Sequence, residues 1–173
     1  MLNLFFKIKR RKTDNIIRNK KTIKEIWQIE KISDFLSALS EYINEKCHYG
    51  ERMSLLSKPE KVFYITQSLE MEVNNGGFSQ FFFNFSGNFS NELTETFCEI
   101  GAKKTAEICQ KAIAILQKDI PLDRDERVKM LKKYESQEIR KVWEECDKEF
   151  YEYQEDLKNL SYEYVQKNKI FFQ

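Results

Sequence analysis

The sequence predicts an all-α fold: a single compact multi-helix domain behind a basic N-terminal arm. Three observations carry that prediction. Only two prolines and five glycines occur in 173 residues, too few for the many tight turns of a β-sandwich. Apolar residues recur at steps of three and four through most of the chain, the period of a helix with one buried face. Charge is divided unevenly: residues 1–24 hold nine Lys/Arg against one Asp, a net of +8, and the remainder holds 20 bases against 27 acids, a net of −7. The length suits one core, so the chain reads as an arm over 1–24 and a helical domain over 25–173.

In the arm, Leu2, Leu4, Phe6 and Ile8 alternate, as a short strand or a membrane-surface segment would, although a partly ordered tail is the simpler reading of a terminus. From Ile23 to Cys47 the pattern turns helical through Ile26, Trp27, Ile32, Phe35, Leu36, Leu39 and Ile43, with Ser33 a candidate cap for a second helix. His48-Tyr49-Gly50 ends it, the glycine supplying a left-handed cap. Ser57-Lys58-Pro59-Glu60 is a helix start with a capping box. Val62, Phe63, Ile65, Thr66, Leu69 and Val73 line one face of this helix, which is expected to stop at Asn74-Asn75-Gly76-Gly77.

Phe78–Phe85 reads as a further short helix, with Phe78, Phe81, Phe82 and Phe85 on one side and Gln80 and Asn84 on another. Ser90 is placed to cap a helix through Leu93, Phe97, Cys98 and Ile100, stopped by Gly101; helix resumes over 102–117, and 119–123 with Pro121 is a loop. Last, Val142, Cys146, Phe150, Tyr153, Leu157, Leu160 and Tyr164 form one apolar stripe over about six turns, with a break expected near Asn159-Leu160-Ser161.

The stretch from Glu70 to Gly87 stands apart, holding three of the five glycines and five of the fourteen phenylalanines. Its pattern, Glu-x-Glu-Val-Asn-Asn-Gly-Gly-Phe-x-Gln-Phe-Phe-x-Asn-x-x-Gly, resembles the signature of the bacterial DNA mimic protein 19 family. The likeness extends through Ile100–Glu107, Ala112–Ala114, Pro121, Asp123, Arg124 and Arg127, and more weakly through Cys146–Tyr151. The resemblance implies an α-helical fold, no catalytic activity and no cofactor. The family's founding member is an acidic dimer that imitates DNA and sequesters a transcription factor. Another protein, of the DNA-binding kind, is therefore the expected partner here, and a homodimer is an expected state.

Within the signature, Glu70, Asn74, Asn75, Gly76, Gly77, Phe78, Gln80, Asn84 and Gly87 read first as structural. The glycines bend the chain, Asn74 or Asn75 caps a helix end, and Gln80 and Asn84 satisfy buried backbone groups. A ligand pocket of amides and aromatics is the alternative. Glu70 and Glu72, two apart on a helix, do not converge, and an ion pair of Glu70 with Arg127 or Arg124 is expected.

No catalytic residues are assigned: Ser79 and Ser86 lack a nucleophile elbow, and His48 is the single histidine. No metal site follows from Cys47, Cys98, Cys109 and Cys146, whose scattered spacing suits reduced thiols in the cytoplasm. No apolar run approaches the ~20 residues of a membrane span, and no secretory signal is read.

The partner-binding candidates are Glu144, Glu145, Glu149, Glu152, Glu155 and Asp156, with Asp147 beside them and one base, Lys148. Helical spacing sets such carboxylates about 5–6 Å apart, like a row of phosphates. The sequence thus reads as a non-enzymatic protein-binding regulator that engages a basic partner through an acidic C-terminal helix. The alternatives are a nucleic-acid or membrane-surface binder acting through residues 1–24, and an immunity- or antitoxin-like inhibitor.

Overall fold

The structure, a computed structural model, describes residues 21–116, 119–134 and 136–173. All regular elements among them are helical, with no strand. The expectations for the arm fall almost wholly on residues outside this set.

Thr22 and Glu25 form a capping box that starts α1 (Ile23–Ile26). Its one buried side chain, Ile26, packs toward α2 (Ile32–Lys46). The cap of α2 falls at Lys31 rather than Ser33, whose hydroxyl donates to Asp34 instead. After Cys47 the chain reverses through His48, Tyr49 and Gly50, all at positive φ (52°, 56° and 94°). A 3-10 turn (Met53–Leu55) leads into α3 (Lys58–Phe83), which begins with the expected Ser57–Glu60 box and Pro59 in its first turn. Buried Glu60 also accepts Lys46 Nζ at 2.7 Å, tying the end of α2 to the start of α3 as an antiparallel pair.

Helix α3 is the axis of the molecule. It touches α2, α4, α6, α7, α8 and the 3-10 stretch Phe85–Glu92. It is therefore buried on most sides, not along one stripe. It does not stop at Asn74–Gly77 as expected: hydrogen bonding continues to Phe83. The backbone nevertheless leaves helical geometry at Gly76 (φ −165°, ψ 24°) and Gly77 (φ 73°, ψ −176°). The short helix expected at Phe78 is the second limb of α3. Phe78, Phe81 and Phe82 enter the core as expected, but Phe85 lies beyond the helix end and is 40% exposed.

α4 (Leu93–Glu99) has no side-chain cap, because Ser90 Oγ donates to Gly87 O at 2.6 Å instead. α5 (Lys103–Ala114) and α6 (Arg124–Tyr134) follow, with the expected loop between them. α7 (Gln137–Tyr151) is capped by Ser136 and α8 (Leu157–Lys167) by Asp156.

The long apolar stripe is thus two helices, and the break lies at residues 152–156, not at Asn159–Ser161. Tyr153 sits there at φ 44°. The spacing hides the break because Leu157 restarts a buried face in phase with the one that Phe150 ends. The core is aromatic at its centre: Phe82 stacks on Trp143 (4.9 Å, 19°), and Phe78 meets Phe150 edge-on (6.3 Å, 89°). Trp143 Nε1 donates to Ala112 O at 3.0 Å, tying α7 to α5. At the far end Lys169 Nζ lies 4.4 Å from the ring centre of half-buried Trp27, linking α1 to the chain's last turn.

Candidate functional site

The signature run folds into a joint. At Gly77 the dihedrals suit glycine alone, and a β-carbon would collide with the Asp147 carboxylate. That carboxylate comes from α7 and accepts the Phe78 N–H at 2.7 Å, satisfying one of the donors that the kink frees at the head of the second limb. Burial pushes the Asp147 pKa up, against the opposing pull of this hydrogen bond. Tyr151 OH donates to Val73 O at 2.7 Å, so α7 holds both sides of the kink.

The kink lets Glu72 face the second limb. Glu72 is 6% exposed and accepts three neutral donors: Gln80 Nε2 (2.6 Å), Asn84 Nδ2 (2.9 Å) and Ser86 Oγ (2.8 Å). Gln80 and Asn84 therefore serve a buried carboxylate, not the backbone groups expected for them. Neither Asn74 nor Asn75 caps a helix end. Asn74 Nδ2 donates to Tyr153 OH at 2.6 Å, and Asn75 Nδ2 to Gln80 Oε1 at 3.4 Å.

The end of α3 is closed by Arg127 from α6, 0% exposed. Its guanidinium donates to the carbonyls of Phe82 (2.8 Å), Asn84 (2.7 Å), Pro121 (2.9 Å) and Leu122 (3.1 Å). Arg124 Nε donates to Phe83 O at 3.1 Å. Two cations at a helix C-terminus satisfy its orphan carbonyls and its dipole together. A β-carbon on Gly87 would come within 2.6 Å of Arg127 Nε. The ion pair expected between Glu70 and Arg127 or Arg124 does not form, since both arginines are turned to carbonyls. Glu70 Oε1 instead accepts Tyr153 OH at 3.1 Å, and burial raises its pKa. Sequence reading missed Glu72 as the hub; its one visible signal is an acid beside Val73 in an otherwise apolar stripe.

The six acidic candidates are not one uninterrupted helix face. Glu144, Glu145 and Glu149 lie on α7, and Glu152 caps its end. Glu145 and Glu149 reach Lys111 of α5 (3.6 and 2.7 Å). Glu155 stands in the linker and caps α5 from outside, accepting Lys104 N, Thr105 N and Thr105 Oγ1 at 2.9, 2.9 and 3.0 Å. Asp156 caps α8 by accepting Asn159 N at 3.1 Å. Glu144 and Glu152 are exposed, the latter accepting Gln154 Nε2 at 3.1 Å.

His48 is exposed at the chain reversal. Among the described residues no cluster of His, Cys, Asp and Glu is arranged to hold a metal ion, and no helix is long and apolar enough to cross a membrane.

The family model described as DMP19-like protein matches residues 54–168. No curated protein and no solved structure matches the chain. The matched span runs from the turn before α3 through α8 and contains the kink, the Glu72 hub and both arginines. It covers well over half of the sequence, and the chain belongs to the DMP19-like protein family.

Proposed function

We propose that the protein is a non-enzymatic binding module that engages a basic, DNA-binding protein through the acidic side of α7 and its following turn. The observation that carries this reading is the grouping of Glu144, Glu145, Glu149 and Glu152 on the solvent side of α7, with Glu144 and Glu152 exposed. Membership of the DMP19-like family supports it.

Magnitudes set how far the comparison with DNA extends. Eight helical residues rise about 12 Å. Four carboxylates over that length average about 4 Å apart along the axis, sparser than the 3.4 Å of one DNA strand and far sparser than the ~1.7 Å of a duplex. Lys148 and Lys111 dilute the field further. The face therefore suits an electrostatic contact with a basic protein surface better than full imitation of a duplex.

Affinity capture from native lysate tests the reading. Captured protein is expected to be lost on raising salt from about 0.1 to 0.5 M. It is also expected to fall at least about tenfold with Glu144→Lys and Glu152→Lys together. A partner retained under both changes refutes the assignment.

A further inference from the structure

A second open surface is lined by residues other than the acids of α7. Among the described residues, a groove of about 570 Å³ runs between α2 and α3, within the size range of ligand sites. Small side chains on α2, Ser37 and Ser40 among them, leave space between its walls unfilled. Their hydroxyls, with the amides of Asn44 and Asn74, line the walls with groups that pair with a peptide backbone. The rim is apolar: Met71 is 63% exposed and Tyr49 66% exposed, both bordering the groove. Exposed methionine is a pliable contact for aliphatic side chains.

Charge gives the groove a sign. Glu41 and Glu70 line it against a single Lys158. Glu70 is half-buried, and the bond it receives comes from the neutral Tyr153 hydroxyl. A partly desolvated carboxylate facing a groove is best complemented by an ammonium or guanidinium. The α2 wall runs from Ser33 to Asn44, about 16 Å at helical rise and the length of about five extended residues. That wall lies before the matched span of 54–168, so half of the groove is built from residues outside the family match.

We propose that the α2–α3 groove docks an extended segment of a partner protein, about five residues long, carrying Lys or Arg beside an aliphatic side chain. The cation faces Glu70 and Glu41, and the aliphatic group covers Met71. This assignment uses none of the acidic side chains of α7.

Fluorescence anisotropy on the full chain tests it, with labelled Gly-Leu-Lys-Leu-Lys-Leu-Gly and the same peptide with Glu for Lys. The Lys peptide is expected to bind and the Glu peptide not. Glu70→Gln with Met71→Ala is expected to weaken binding at least about tenfold. Ser37→Lys, at an exposed site that does not bear on folding, is expected to do the same. Glu144→Lys alone should leave groove binding within about twofold, which separates this proposal from the α7 reading. Equal binding of the two peptides, binding of neither, or indifference to both groove variants overturns it. Two other occupants are also distinguished. If changing Lys7, Lys9, Arg10, Arg11 and Lys12 to Ser raises peptide affinity about tenfold, the chain's own arm fills the groove and the proposal falls. It falls likewise if sedimentation shows a dimer that Ser37→Lys dissociates.

Discussion

The signature joint and the acidic side of α7 are both dense in polar side chains, yet they use them in opposite ways. In the joint, Glu72, Gln80, Asn84, Ser86 and Arg127 are turned inward, and their hydrogen bonds close on one another or on backbone carbonyls. On α7 the acids are half-exposed or exposed, and the ion pairs they make, such as Lys111–Glu149, are of the surface kind worth little. Polar density alone therefore does not mark a binding site. What separates the regions is whether the polar groups still have capacity for an outside partner. By that criterion the buried Glu72–Arg127 joint, although it lies within the family-matched span, is less available to an outside partner than the α7 face.

The largest expected effect breaks the joint. Arg127→Met removes a charged donor from four carbonyls, of which Asn84 O keeps the Gly87 N–H, and should cost about 4 kcal/mol or more, read as a fall in the urea midpoint. A loss under about 1 kcal/mol would mean the carbonyls find water, and the joint would be less closed than described. Gly77→Ala comes next. It combines an unfavourable backbone conformation with the collision at Asp147, and about 2–3 kcal/mol is expected.

A smaller contrast divides the acidic candidates themselves. Glu155→Ala removes the outside cap of α5 and should cost about 1 kcal/mol of stability. Glu144→Ala should change stability by less than about 0.5 kcal/mol. Equal losses would erase the division between capping and solvent-facing acids.

The smallest effect concerns pH. Burial holds the Asp147 pKa above its unfolded value, with Glu144 adding to the shift and the Phe78 N–H opposing it. The folded state therefore takes up the proton more readily. The stability this contributes is full below the unfolded pKa and is lost as pH rises through the raised folded one. The stability of the native chain relative to Asp147→Asn should thus grow as pH falls through that window. Urea midpoints of both proteins across the acid range measure it, and a difference that shrinks on acidification contradicts the burial account.

Much of the fold was legible because its signals are local. Ser57, Pro59 and Glu60 announce the head of α3, Gly50 marks a reversal, and the apolar period of 142–164 marks buried helix. The break inside that last stretch was hidden by a linker whose length keeps Phe150 and Leu157 in phase. Asp156 was a cap within sight, but it read as one more acid on a face. The joint was visible as a cluster and opaque as a mechanism. Whether Glu70 or Glu72 meets Gln80 depends on the bend at Gly76–Gly77, and two of the four carbonyls that Arg127 serves, those of Phe82 and Asn84, lie 45 and 43 residues away in sequence. Such pairings are set by tertiary geometry, which spacing along the chain does not encode.

The stacking of Trp143 on Phe82 has an optical consequence. The chain has two indoles in very different surroundings. Trp143 is 1% exposed under the joint, and Trp27 is half-buried beside the Lys169 ammonium. A Trp27→Phe chain would carry one indole whose emission, excited selectively over the eight tyrosines, follows the joint, and a Trp143→Phe chain one that follows the junction of α1 with the C-terminal turn. Superposed unfolding curves from the two would mean that the family-matched body and the leading helices melt as one unit. Separated curves would mean that α1 loosens while the joint stays closed.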